Sequence, residues 1–120
     1  MDAAFHNAVS GTRAAGRRLE VSAANTVNAR SEGYTPLRTV QSAQPGGGTR
    51  AATADVTPAT VPSFEPQHPG ADANGVVQRP NVALEGERVE QILAQRAFEA
   101  NLRTVQTADR MTRTVLDILA

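Results

Sequence analysis

Hydrophobic positions fall into two long helical patterns, separated by a stretch that is neither helical nor strongly strand-like. Over residues 3–29, at about 100° per residue, Phe5, Ala8, Val9, Thr12, Ala15, Gly16, Leu19, Ala23, Thr26 and Val27 gather in one stripe. His6, Arg13, Arg17 and Asn28 lie to one side of it. The spacing predicts an amphipathic helix. Gly11 and Gly16 each cost roughly 1 kcal/mol in an isolated helix and are tolerable if another backbone comes close there. "SEGYTP" ends the pattern, with Gly33 as the C-cap glycine and Pro36 beyond it.

The second pattern covers residues 85–118 and has two apolar stripes. Val89, Leu93, Ala97, Ala100, Thr104, Ala108, Met111, Val115 and Ile118 form one; Ala94, Phe98, Leu102, Val105 and Leu116 form the other, with Asn101 and Leu119 between. Arg96, Glu99, Arg103, Arg110, Arg113 and Asp117 occupy the remaining face. At about 1.5 Å per residue this helix is roughly 50 Å long. One partner helix needs only one stripe. The first stripe is expected to meet the N-terminal helix, and the second to be left for a partner.

Residues 34–81 hold all seven prolines and five of the nine glycines, which excludes helix over most of the segment. Short β-capable pieces remain at Leu37–Val40, Ala51–Thr57 and Val76–Gln78. "PGGGT" at 45–49 reads as a flexible loop, and Asn74-Gly75 suits a type I′ hairpin turn. The pieces are too short and polar for an independent sheet. The predicted fold is mainly α. An N-terminal segment (1–33) and a C-terminal segment (82–120) pair as an antiparallel helical hairpin or coiled coil, around a small irregular β-containing middle (34–81).

Composition sharpens this picture. Among 120 residues there are three Phe, one Tyr and no Trp, so an Ala- and Val-rich chain must pack its helices closely or share a core with other chains. Formal charge is zero and all 12 basic residues are Arg, which argues against sequence-independent nucleic-acid binding. Cysteine is absent, which excludes disulfides and thiol chemistry. The start, "MDAAFHNAVSG", has no apolar core of a secretory signal, and no apolar run is long enough to span a membrane. His6 and His68 have no convergent ligands for a metal, and "PGGGTR" lacks the Lys of a phosphate loop. No catalytic, cofactor or metal site is expected.

Specific residues then carry a resemblance. "RRLEVSAANTVNARSEGY" resembles the L-x-V-x-A-x-N-x-x-N signature of bacterial flagellar axial proteins, through Leu19, Val21, Ala23, Asn25, Asn28 and Ala29, followed by Gly33-Tyr34. "PQHPGADANGVVQRPNV" and the following "RAFEAN" are similar to the C-type family of proximal rod proteins. The matching positions are His68, Pro69, Ala71, Asp72, Gly75, Val77, Pro80, Asn81 and Val82, then Arg96, Phe98, Ala100 and Asn101. The chain departs from that family at Glu85, Arg88 and Gln91, where apolar residues are usual, and in a short middle without the expected aromatic strand.

The resemblance implies a structural subunit of the flagellar basal body. It would leave the cell through the flagellar type III export apparatus without a cleaved signal, and assemble in the periplasm with itself and other rod subunits to transmit torque. The expected assembly residues are Leu19, Ala23, Asn25 and Asn28 on the first helix. On the second they are Leu93, Ala97, Phe98, Ala100, Asn101, Leu102, Val105, Met111, Val115 and Leu116. Asn25, Asn28 and Asn101 are candidates for setting helix register through buried amides. The alternatives are another rod or hook-base axial protein, and a cytosolic coiled-coil adaptor or export chaperone.

Overall fold

The computed structural model describes residues 2–119. Helix α1 spans Asp2–Val27 and helix α2 spans Leu84–Leu119. Between them lie strands β1 (Leu37–Ala43), β2 (Thr49–Asp55), β3 (Thr60–Phe64) and β4 (Val76–Pro80). β1 pairs antiparallel with β2, Leu37 opposite Asp55, and β3 pairs antiparallel with β4, Thr60 opposite Pro80. The molecule measures 78 × 25 × 15 Å, with a radius of gyration of 20.6 Å. A compact chain of this length would have about 14 Å.

α1 and α2 run side by side and antiparallel. Gly11 faces Asn101, Arg18 pairs with Glu90, and the Ser22 hydroxyl donates to the Glu87 carbonyl at 3.0 Å. The seam is built from small residues at heptad-like spacing: Ala8, Ala15 and Ser22 on α1, Ala94 and Ala108 on α2, all buried. A buried methyl contributes only about 0.8 kcal/mol, so this seam fixes geometry more than it supplies stability.

The buried faces differ from those expected. On α1 the buried side is turned by roughly a quarter of the circumference, onto Ala8, Ala14, Ala15, Val21, Ser22 and Asn25. Phe5, Leu19 and Val27 are left exposed. The reason is that α1 serves two neighbours: α2 on one side and the β1–β2 hairpin on the next. On α2 the seam runs between the two apolar stripes rather than along the first, so large side chains of both stripes stay outside. Close packing selects Ala over Leu at the seam.

At Gly11 the neighbour that comes close is the Asn101 side chain, and at Gly16 none does. A Cβ on Gly11 would sit 2.6 Å from Asn101 Oδ1, whereas one on Gly16 would meet nothing within 4 Å. Gly16→Ala is therefore expected to stabilise α1 by up to about 1 kcal/mol. Gly11→Ala should destabilise it, because the Asn101 amide must leave its bond to the Ala97 carbonyl. Thermal melts followed by circular dichroism should rank Gly16→Ala above wild type and Gly11→Ala below it.

The middle segment is more ordered than its composition suggests. β3 was not expected, yet it provides the partner for β4 and makes a second hairpin. Asn74-Gly75 does not form a type I′ turn, which needs positive φ at both central residues; no non-glycine residue here has positive φ. Instead Gly75 N–H donates to the Asp72 carbonyl, and Asp72 Oδ1 accepts from the N–H groups of Asn74 and Val76. This Asx-type turn closes a longer loop, Glu65–Gly75, between β3 and β4.

"PGGGT" is a docked turn rather than a free loop. Gly46, Gly47 and Gly48 have φ of 93°, 100° and 86°, a region closed to other residues without strain. The turn lies on α1, where Thr49 N–H donates to Ser10 Oγ at 3.1 Å. Gly33 also has positive φ, 73°, but six residues beyond Val27. Asn28 closes the last turn instead, its Nδ2 donating to the Ala24 carbonyl.

Candidate assembly surface

At the point where α1, β1 and α2 converge, one side chain joins all three. Asn25 is 2 % exposed. Its Oδ1 accepts from the Tyr34 hydroxyl at 2.9 Å and from Leu37 N–H at 3.0 Å. Its Nδ2 donates to the Leu37 carbonyl at 2.7 Å and to Glu87 Oε1 at 2.9 Å. A primary amide is the group that can accept and donate twice in so small a space. Burial, and next the Glu87 carboxylate, push the Tyr34 phenol up from its ordinary pKa. Pro36, fully buried beside it, accepts from Val56 N–H and fastens the far end of β2.

Further polar ties align the helices. Arg18 Nε and Nη2 donate to the two Glu90 carboxylate oxygens at 2.6 and 3.0 Å, a fork-to-fork pair. Gln91 Nε2 donates to Thr26 Oγ1 at 2.9 Å, so one of the three polar departures is used inside the chain. The pairing of Arg18 with Glu90 was not foreseen. The signal for it was the seven-residue recurrence of small residues at 8, 15 and 22, which places Arg18 on the seam.

A second set of ties holds the β3–β4 hairpin near the end of α1. Arg79 donates to both carboxylate oxygens of Glu65, through Nε at 2.9 Å, and to the Arg30 carbonyl at 3.2 Å. His68 Nδ1 accepts from Gly70 N–H, and Nε2 lies 3.3 Å from Glu32. The Arg79 hydrogen bonds, then that from Ser63, hold the Glu65 carboxyl down at about 2, against an ordinary value of 4.5. A depressed carboxylate contributes stability above its ordinary value and loses it as pH falls through the folded value. The hairpin tie should thus be complete above about pH 5 and vanish near pH 2. Carboxyl NMR should place the Glu65 midpoint near 2 in wild type, and Arg79→Gln should return it toward the ordinary range.

The expected assembly residues divide in this single chain. Asn25 is buried inside it. Ala97, Asn101 and Val105 are half-buried along or beside the seam, and Asn28 is half-buried just past the end of α1. Asn28 and Asn101 each donate to the carbonyl four residues back in their own helices. Leu19, Ala23, Leu93, Phe98, Ala100 and Leu102 are exposed on the flanks. Met111, Val115 and Leu116 are also exposed, on the part of α2 that runs on past Asp2 at the described start of α1; Leu116 is 61 % exposed. Leu93 at 52 % and Ile92 at 47 % continue the apolar surface toward the other end. Scattered exposed apolar residues are ordinary; this many large ones on both sides of the seam of a 36-residue helix are not.

Two long paired helices with small residues inside, large apolar residues outside and short hairpins at the connection define an elongated building block whose chemistry is contact. Among the described residues there is no group of three or more His, Cys, Asp and Glu that could hold a metal ion. No described helix is long and apolar enough to cross a membrane. The profile of the flagellar basal body rod FlgEFG protein C-terminal family matches residues 73–118, which comprise β4 and nearly all of α2. The chain is 40 % identical over 116 residues to flagellar basal-body rod protein FlgC of Yersinia enterocolitica, covering 86 % of each chain. It is 37 % identical over 122 residues to FlgC of Salmonella typhimurium, covering 89 % of each. FlgC of Borreliella burgdorferi is 38 % identical over 80 residues, 62 % of this chain and 52 % of that one. The chain belongs to the FlgC family of flagellar basal-body rod proteins. The family is structural, so its role is that of a rod subunit and not of an enzyme.

Proposed function

We propose that this chain is a proximal-rod subunit that assembles helically with copies of itself and with other rod proteins, so that the tube transmits torque from motor to hook. It travels through the flagellar type III export apparatus without a cleaved signal and takes its place in the periplasmic part of the basal body. The terminal segments, 1–33 and 82–120, are its axial helices, acting as an antiparallel coiled coil within the tube, and 34–81 is its lateral extension. The exposed assembly residues named above, with Leu102 and Phe98 at their centre, meet neighbouring subunits.

The observation that carries this reading is the mismatch between helix surface and core. The seam of α1 and α2 buries alanines, while Leu93, Leu102, Met111 and Leu116 face outward. Neighbours that bind only the folded chain stabilise it by mass action, so folding is completed by assembly. A deletion strain complemented with an epitope-labelled chain tests this. The label should co-purify with intact basal bodies and localise to the rod. A chain found only as a soluble cytosolic dimer would overturn the reading in favour of an adaptor.

A further inference from the structure

The β1–β2 turn and the first half of α1 enclose an open cleft of about 590 Å³. Every ionisable side chain lining it is basic: His6, Arg13, Arg17 and Arg50. The cleft is a built feature, because the turn that forms its far wall is pinned to α1. Ser10 Oγ accepts from Thr49 N–H, and a Cβ on Gly48 would lie 2.5 Å from that same oxygen. This docking sets Arg50, on β2, across from Arg13 and Arg17, one helical turn apart on α1. Arg17 has an ion pair with Glu20 at 2.8 Å, between two exposed side chains, which contributes little. Arg13 and Arg50 have no ion pair among the described residues. A chain of zero formal charge has thus gathered like charges where they repel one another.

We propose that this cleft receives a carboxylate-bearing polypeptide segment of a neighbouring axial subunit. Guanidinium groups match carboxylates in two-pronged pairs, and three of them around one cleft select a segment with two or more acidic side chains. Ala14, Pro45 and Ala51 line the space between the cations, which suits the aliphatic part of a peptide better than a small free anion. A chain of zero formal charge does not supply the extended basic track that a nucleic-acid backbone requires. The proposal rests on the rod-subunit reading and names the contact by which that subunit recognises one neighbour.

The absence of lysine from the chain provides the test. Arg50→Lys and, separately, Arg13→Lys place a side-chain amine in the cleft, and Arg110→Lys places one on the opposite, outer face of α2. Basal bodies containing each variant are treated with a carbodiimide, which joins an amine only to a carboxylate in contact with it. The expected result is an intersubunit amide from Arg50→Lys or Arg13→Lys to an Asp or Glu of a neighbour, mapped by mass spectrometry. Its yield should be at least tenfold above that from Arg110→Lys. In parallel, Arg13→Glu combined with Arg50→Glu should reduce incorporation into the rod about tenfold with secretion unchanged. Variants that enter the rod yet give no such adduct, or only an adduct within their own chain, overturn the cleft proposal and leave the rod reading intact. An adduct to a carboxylated non-protein polymer overturns the choice of a polypeptide partner. Wild-type chain missing from the basal body would instead refute the rod reading itself.

Discussion

Replacing Asn25 with leucine is expected to disconnect α1 from both of its neighbours. The amide makes four hydrogen bonds, to Tyr34, to both backbone groups of Leu37 and to Glu87. Leucine has similar volume and returns none of them. Each buried group left without a partner costs about 1–3 kcal/mol, and the Glu87 carboxylate faces the new apolar side chain. A total near 4 kcal/mol exceeds what an alanine seam can absorb. The single tyrosine is a built-in reporter, because the chain has one Tyr and no Trp. In Asn25→Leu the phenol should ionise at lower pH than in wild type, since its pKa is held up by burial and by Glu87. Tyrosine fluorescence should change with it, and motility should be lost. An unchanged phenol titration would show that the amide is not the junction described here.

The second large effect is expected at Leu102. This residue is 40 % exposed on the flank of α2, so Leu102→Asp removes little from the isolated chain. Against a neighbouring subunit the same carboxylate would be forced out of water, at about 3 kcal/mol, or roughly a hundredfold in affinity. Cells carrying the variant should secrete the subunit normally, form few or no rods and fail to swim. Arg110→Gln, on the polar face, should swim as wild type does. Normal motility of Leu102→Asp would remove the case for a partner surface on this flank.

The two helices were legible in the sequence because their period persists over many turns, and the hydrophobic content of α2 announced more apolar surface than one partner could cover. Which face is buried was not legible. Periodicity weighs large side chains most heavily, whereas close packing of α1 on α2 is governed by the smallest: Ala8, Ala15, Ser22, Ala94 and Ala108. Phe5 and Leu19 therefore drew the expected stripe away from the true seam. The glycine-rich turn failed for a related reason. Three successive glycines read as freedom, but positive φ at Gly46, Gly47 and Gly48 is a fixed requirement of a turn seated on Ser10. Strand β3, with Pro62 inside it, has no alternation strong enough to reveal a strand whose partner lies beyond an eleven-residue loop. Asn25 belonged to a recognisable motif, yet only the fold shows that its partners are Tyr34, Leu37 and Glu87.

The claim beneath all of this is that one chain cannot cover its own helices. Amide hydrogen exchange on the dilute chain and on assembled rods measures it directly. In the dilute chain, α2 should be less protected than in the rod, least of all over residues 111–119, and the same amides should become strongly protected on assembly. Equal, strong protection of α2 in a dilute monomer that also melts cooperatively would contradict the account.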